Sequence, residues 1–222
     1  MNSEATLENT NSLSIRKTLY FIIKRLFDIV CSLIGCIFLL PIALIVKISY
    51  ILNKDYASIF FSQDRIGKNG KTFKFYKFRS MVVDADKVLA ELLKNDKEAN
   101  REYKLNKKLK NDPRITKMGK ILRRTSLDEL PQLVNVLKGD MSLIGNRPYL
   151  PREKEDMGQY FDTIVKTKPG LTGYWQVNGR SNTTFEERLK LEEYYSNHAS
   201  LKMDIKILFK TVYVVLFHKG AE

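Results

Sequence analysis

Asp128 and Glu129 stand side by side in the stretch RRTSLDELPQLVNVLKGDMSLIGNRP, Arg123 to Pro148. Arg123 and Arg124 precede them and Arg147 follows. A carboxylate can serve as a nucleophile or hold a divalent cation, and guanidiniums grip phosphate as planar forks. Adjacent acids among arginines, in a strongly basic chain, therefore point to an anionic substrate held by a metal or by the arginines. Taken alone, acids in the first turn of a helix are ordinary capping residues. Here Arg147, a later Gly179-Arg180 pair and a long apolar run near the N-terminus give the acids company that capping does not need.

The flanking residues predict how the pair is positioned. Ser126-x-x-Glu129 has the spacing of a capping box, predicting a helix over DELPQLVNVLKG with Pro131 in its first turn and Lys138-Gly139 at its end. Ahead of it, Asp112-Pro113 reads as a turn, and Lys117 to Arg124 as a short helix with Met118, Ile121 and Leu122 inward. Ile59 to Arg79 alternates aromatic and polar residues around Gly67, Asn69 and Gly70, which predicts a β-hairpin. Its alternation places Phe73 and Phe75, with Lys77 and Arg79 in the same register, on one face. Asp84 to Lys110 is charged and helical, with a stripe at Ala85, Val88, Leu89 and Leu92. Asp156 to Val165 is a short helical connector. KPGLTGYWQVNGR, Lys168 to Arg180, carries Gly170, Gly173, Gly179, Gln176 and the only Trp, and reads as a loop that can bring backbone amides to a ligand. Two C-terminal helices follow. The second sets Ile205, Leu208, Phe209 and Val212 against Lys202, Lys206 and Lys210, a pattern that suits a membrane interface or packing on the core.

Composition bounds the function classes. The chain has 222 residues, 44% hydrophobic and 28% charged, enough for one domain with its own core and a small extra module. A formal net charge of +13 favours polyanionic partners: nucleic acid, an anionic membrane face or phosphorylated substrates. Cys31 and Cys36 sit inside the apolar run and make no disulfide framework. His198 and His218 have no zinc spacing.

The apolar run itself, from Ile29 to Val46, has 18 residues without a charge. It is the length of a short membrane helix; a buried core helix is the rival reading. Pro41 removes a backbone hydrogen bond inside the run. Basic residues flank both ends, with Arg16, Lys17, Lys24 and Arg25 before and Lys47 and Lys54 after. A spanning helix would put one basic group on the wrong side. The expectation is a re-entrant helix–break–helix anchor kinked at Leu40 and Pro41, with a single span as its main rival. The predicted organisation is a disordered tail (1–15), the anchor (16–56) and a cytoplasmic catalytic domain (57–222). The fold class expected is α/β and helix-rich, with a small β-hairpin or sheet and interfacial amphipathic helices.

Together these motifs resemble the bacterial sugar transferases, the monotopic phosphoglycosyl transferases that act on polyprenol phosphate. The resemblance runs from about Lys24 to Thr211. It is carried by Lys24-Arg25-x-x-Asp28, Gln63-x-Arg65-x-Gly67, Lys77-Phe78-Arg79-Ser80-Met81, Asp112-Pro113-Arg114-Ile115-Thr116, Arg123 to Gln132, Gly139-Asp140-Met141-Ser142, Arg147-Pro148, and Pro169-Gly170 through Gly179-Arg180. Asn146 departs from it, standing where the family usually has Pro, and so does Ala199, at a position often aromatic.

The resemblance implies that Asp128 attacks the β-phosphorus of a UDP-sugar to form a phosphosugar-enzyme, with UMP leaving and undecaprenyl phosphate attacking next. It implies that Glu129 assists, that Asp128 and Glu129 lie at Mg²⁺, and that Lys77, Arg79, Arg123, Arg147, Gln176 and Arg180 contact phosphate or nucleotide. The partners it implies are the UDP-sugar, undecaprenyl phosphate and lipid of the bacterial inner membrane at its cytoplasmic face, with no nucleic acid; a homodimer is left open. The sugar is open too, hexose-1-phosphates such as galactose or glucose fitting the motif variants and N-acetylated sugars remaining. A basic peripheral protein binding nucleic acid, or a silent scaffold, is the competing class. Neither gives Asp128-Glu129 a purpose.

Overall fold

The computed structural model describes residues 2–106, 109–179 and 183–216. In chain order the elements are α1 (Asn2–Leu52), β1 (Phe60–Ile66), β2 (Thr72–Phe78), α2 (Ala85–Asn95), α3 (Lys97–Asn106), α4 (Lys117–Arg124), α5 (Gln132–Lys138), β3 (Ser142–Ile144), α6 (Lys154–Met157), α7 (Phe161–Ile164), β4 (Gly170–Thr172), α8 (Tyr174–Asn178), α9 (Phe185–His198) and α10 (Leu201–Leu216). The build is helix-rich with two small two-stranded sheets, β1–β2 and β3–β4, as the composition and periodicity implied. The chain forms two compact units. One comprises Met1–Phe38, Ser62–Phe75 and Gln132–Glu222; the other comprises Leu39–Phe61 and Tyr76–Pro131.

In the first unit β3 and β4 pair in parallel, Ser142 opposite Gly170 and Ile144 opposite Thr172. The glycine-dense stretch read as a loop is thus a strand followed by a short helix. The reason is backbone proximity: a Cβ on Gly145, Gly170 or Gly173 would run into backbone of the facing segment, so only glycine lets these chains meet. Phe75, Val136 and Met141 form one core cluster with Phe73 against it. The aromatic residues that a single-strand binder would offer are therefore packed inward. Ile144, Tyr195 and Ile207 form a second cluster, and Tyr149, Met157, Ile164 and Leu189 anchor a third with Ile66. α10 is held through Ile207 and leaves Ile205, Phe209 and Val212 exposed.

The first part of α1 docks in this unit through polar groups. Lys24 Nζ lies 2.5 Å from Asp204 Oδ2, and the hydroxyls of Tyr20 and Tyr195 donate to the same carboxylate. Arg25 donates to the carbonyls of Val136 (2.6 Å) and Leu137 (2.8 Å) near the end of α5. Asp28 accepts from Ser142 Oγ and from the Leu143 amide. Gly35 lies where a Cβ would strike Leu133.

In the second unit the rest of α1 buries Leu39, Val46 and Tyr50 and leaves Leu40, Leu44 and Ile45 exposed. Lys17–Leu52 is a helix long and apolar enough to cross a membrane, with 17% of its most apolar window buried. A core helix would be mostly buried, so that reading falls. The helix continues through Pro41 without a break, and it takes in the stretch expected to be a disordered tail. The boundary between the units falls at Phe38 and Leu39, two residues before the proline.

The hairpin forms as its alternation predicted, with Lys68–Gly70 turning between the strands and Asn69 and Gly70 at positive φ. Phe60 stacks on Phe78 with ring centroids 5.4 Å apart. The helical excursion is split into α2 and α3, because Asp96 Oδ1 accepts the Glu98 and Ala99 amides and starts a new helix. α4 keeps its expected bounds, capped by Thr116 Oγ1 accepting from Gly119 N. Of its three expected inward residues Leu122 is buried, whereas Ile121 is 57% exposed.

Candidate functional site

The carboxylate pair is presented by a turn between α4 and α5. Ser126 takes a left-handed conformation, φ +57°, which for a residue with a Cβ costs roughly 1 kcal/mol or more. Leu127–Glu129 then form one 3₁₀ turn and α5 starts only at Gln132. The expected capping box is absent, and two causes are visible. Ser126 makes no side-chain cap, and the Glu129 carboxylate is taken by Lys77, Nζ to Oε1 2.7 Å. Pro131 also has no amide hydrogen to give the Leu127 carbonyl, so the turn cannot run on as α-helix. The acids consequently sit on a short, backbone-strained turn rather than inside a helix.

Lys77 Nζ reaches both members of the pair, at 3.5 Å from Asp128 Oδ2 as well. Asp128 is 9% exposed, while 42% of the Glu129 side chain is open. Burial pushes the Asp128 carboxyl above the usual carboxylate range; Lys77 opposes this, Glu129 adds to it, and Arg123 opposes it. Arg123, in the last turn of α4, donates from Nε to Ser80 Oγ at 3.0 Å. That serine belongs to the segment against which α4 is closely packed: a Cβ on Gly119 would collide with Ser80 backbone.

Arg79, expected to bind phosphate, is placed otherwise. Its guanidinium holds Asp55 through two bonds of 2.9 Å, donates to the carbonyls of Ser58 and Met81, and lies over the Tyr50 ring. The Tyr50 hydroxyl in turn donates to the Arg79 carbonyl. Arg79 is thereby committed to tying the segment after α1 to the end of β2. Arg114 is similarly bound to Asp112, 2.6 Å.

Within the first unit lies a separate cationic cluster. Arg147 follows Asn146, whose buried amide donates to Ile164 O, Thr167 Oγ1 and Ser196 Oγ. The Asn146 side chain thus anchors this loop through hydrogen bonds. The Arg147 amide donates to Glu192 Oε1 at 3.0 Å. The Arg147 guanidinium carbon lies 5.9 Å from the Trp175 ring centroid and that of Arg188 4.1 Å. Trp175 Nε1 donates to Thr183 Oγ1, 2.8 Å. Burial pushes the Glu192 carboxyl up to about 7 and the Arg188 guanidinium down. Gln176 is next to Trp175 on α8. Arg180 lies outside the described residues. The sequence reading missed Arg188 and Glu192. Their i, i+4 spacing on α9 was the available signal, hidden because charged residues surround them there.

In the second unit the structure thus brings together Asp128, Glu129 and Lys77, with Arg123 close enough to influence Asp128. Leu40 and Pro41 lie on the exposed side of the apolar helix.

Comparison with known proteins places this geometry. The bacterial sugar transferase family profile matches residues 19–218. The chain is 46% identical over 211 residues to the undecaprenyl-phosphate galactose phosphotransferase of Salmonella typhimurium, covering 95% of this chain and 44% of that protein. It is 40% identical over 198 residues to the exopolysaccharide production protein ExoY of Sinorhizobium fredii, covering 89% and 87%. It is 36% identical over 209 residues to the UDP-glucose:undecaprenyl-phosphate glucose-1-phosphate transferase of Escherichia coli, covering 90% and 41%. The chain spans less than half the length of the Salmonella and Escherichia relatives and most of the Sinorhizobium one. With the family profile covering nearly all of it, this chain belongs to the bacterial sugar transferase family.

Proposed function

We propose that the protein transfers a hexose-1-phosphate from a UDP-sugar to undecaprenyl phosphate, releasing UMP, at the cytoplasmic face of the bacterial inner membrane. The observation that carries this reading is the half-sequestered Asp128 carboxylate, held beside Glu129 and faced by Lys77. The ionised Asp128 attacks the β-phosphorus of the donor, forming an acyl-phosphate bond as the bond to UMP breaks. The lipid phosphate oxygen then attacks the same phosphorus, and the Asp128 carboxylate is released unchanged. Glu129, more open to solvent, suits the second step by taking or positioning the acceptor's proton. Lys77 and Arg123 offset charge gathering on the phosphoryl oxygens.

Mg²⁺ belongs to this reading. Among the described residues no group of three or more His, Cys, Asp or Glu gathers as a metal site. Two adjacent carboxylates completed by substrate phosphate are nevertheless a donor set that Mg²⁺ accepts. Asp128 and Glu129 would hold it, and when bound it would neutralise diphosphate charge. The names of the relatives support galactose or glucose as the sugar.

The test is UMP release by detergent-solubilised protein from a panel of UDP-sugars with Mg²⁺ and undecaprenyl phosphate. One hexose donor should give UMP in a lipid-dependent way. Asp128→Asn should abolish turnover and the trapped phosphosugar adduct without altering folding. Turnover retained in that variant would remove Asp128 as the nucleophile.

A further inference from the structure

The Arg147–Trp175–Arg188 cluster holds two cations whose hydrogen-bonding capacity the protein does not use. Among the described residues neither guanidinium makes an ion pair or a side-chain hydrogen bond, and the Nε atoms of both are buried without a partner. Each instead lies against the indole of Trp175, Arg188 the closer at 4.1 Å. Arg188 also lies over Phe185, 5.7 Å away, so two aromatic rings pack against the arginine. Glu192 and Glu153 attract Arg188, but among the described residues neither hydrogen-bonds or ion-pairs with its guanidinium, and each accepts a main-chain amide. Glu192 is buried and accepts the Arg147 main-chain amide. Glu153 accepts the Leu150 amide at 2.6 Å. Arg147 opposes the charge of Arg188, and both guanidiniums carry a buried Nε without a partner, an unfilled donor capacity that a bound anion would satisfy.

We propose that Arg188 is a phosphate-binding residue, acting with Arg147 over the face of Trp175 to hold one phosphate group of a substrate. The ligand chemistry is a phosphate mono- or diester anion, which the donor diphosphate and the lipid phosphate both supply. The inference rests on the transfer reading for its choice of substrates, but its test does not need turnover. Arg188 contributes orientation as well as charge. Its guanidinium fork, packed 4.1 Å from the indole centroid, offers two N–H groups that a phosphate can take at once.

Trp175 is the only tryptophan of the chain, so its fluorescence reports on the cluster without an added label. The full chain in detergent is titrated with UDP, UMP, undecaprenyl phosphate and, at matched ionic strength, sulfate. The expected result is a saturable change with a phosphate ligand and none of comparable affinity with sulfate. Arg188→Gln should weaken it by about tenfold or more, the loss of a charged hydrogen-bonding partner. Arg188→Lys, which keeps the charge and loses the fork, should fall between. Thermal unfolding of the same samples checks folding, and Arg188→Lys carries the test should Arg188→Gln not fold. An Arg188 effect on UDP and UMP assigns the cluster to the donor; an effect confined to undecaprenyl phosphate assigns it to the acceptor. Unchanged affinities in folded Arg188 variants, or no phosphate-specific signal in the parent protein, overturn the proposal. If UMP release fails with every donor while phosphate binding stays Arg188-dependent, the transfer reading falls and the site stands.

Discussion

The Asp128 carboxyl is caught between burial, which favours its neutral form, and Lys77, which favours its anion. A nucleophilic carboxylate has to be ionised, yet a moderately raised pKa makes that anion more reactive once it forms. If Asp128 is the nucleophile we propose, Lys77 sets where on the pH scale transfer switches on. Replacing it with Met removes the stabilising cation and leaves the burial and Glu129 effects, both of which push the pKa of Asp128 up. The acid limb of the pH–rate profile for UMP release should move to higher pH in Lys77→Met, with activity recovering as pH rises. A profile displaced toward acid, or lowered uniformly with no displacement, would show that Lys77 acts on something other than the Asp128 proton. Arg79 gives the contrasting case at this scale. It shares a motif with Lys77, but its guanidinium is spent on Asp55 and two carbonyls, so residue type alone could not separate the two roles.

At the scale of elements, Arg25 shows how a motif residue acts through structure. Its two bonds reach carbonyls near the C-terminal end of α5, where the helix dipole also favours a cation. Charged hydrogen bonds of this kind contribute about 1.5–3 kcal/mol in favourable settings. In a chain of this size 1 kcal/mol moves the midpoint of unfolding by about 2–4 °C. Arg25→Met should lower the midpoint in detergent by about 5 °C, while Lys17→Met, a change of exposed charge, should leave it in place. Equal shifts in both would mean that the effect is general electrostatics.

Elements whose signal is local were legible: the hairpin from its alternation and its Gly/Asn turn, α4 from its apolar spacing after the Asp112-Pro113 turn, and the stop at Gly139 with φ +89°. Those fixed by distant partners were not. β4 exists because β3 lies beside it, and three residues of glycine-flanked sequence carry no periodicity. The capping box failed because Lys77, about fifty residues away, claims Glu129. Of the candidate site, the acids and arginines could be named from their motifs, whereas the Trp175 face that joins Arg147 to Arg188 required packing to be seen.

For the whole molecule the open question is how α1 meets the bilayer. The uncharged run of 18 residues gives a straight helix of about 27 Å, just short of a hydrocarbon core of about 30 Å. A span is therefore not forbidden by length. Charge and attachment are the grounds on which we propose a re-entrant path instead. Lys24, Arg25 and Asp28 ahead of the run bind polar groups of the first unit. After it, Tyr50 donates to the Arg79 carbonyl and Asp55 binds the Arg79 guanidinium. Each flank thus makes polar contacts within its own unit, and both are basic, the charge that the positive-inside rule associates with the cytoplasmic side. The helix runs on through Pro41, so a return would require it to bend at the position of the missing donor. The expected outcome is that single cysteines at Asn11 and Asn53, in a background lacking Cys31 and Cys36, are both labelled by an impermeant maleimide in inside-out vesicles and neither in right-side-out ones. Labelling of Asn11→Cys from the periplasmic side alone would establish a span. A companion Pro41→Leu variant separates cause from coincidence: if the proline enforces the return, its loss should move the label on Asn11→Cys to the opposite face while that on Asn53→Cys stays. Unchanged labelling would put the weight of the re-entrant path on the flanking charges and their docking contacts instead.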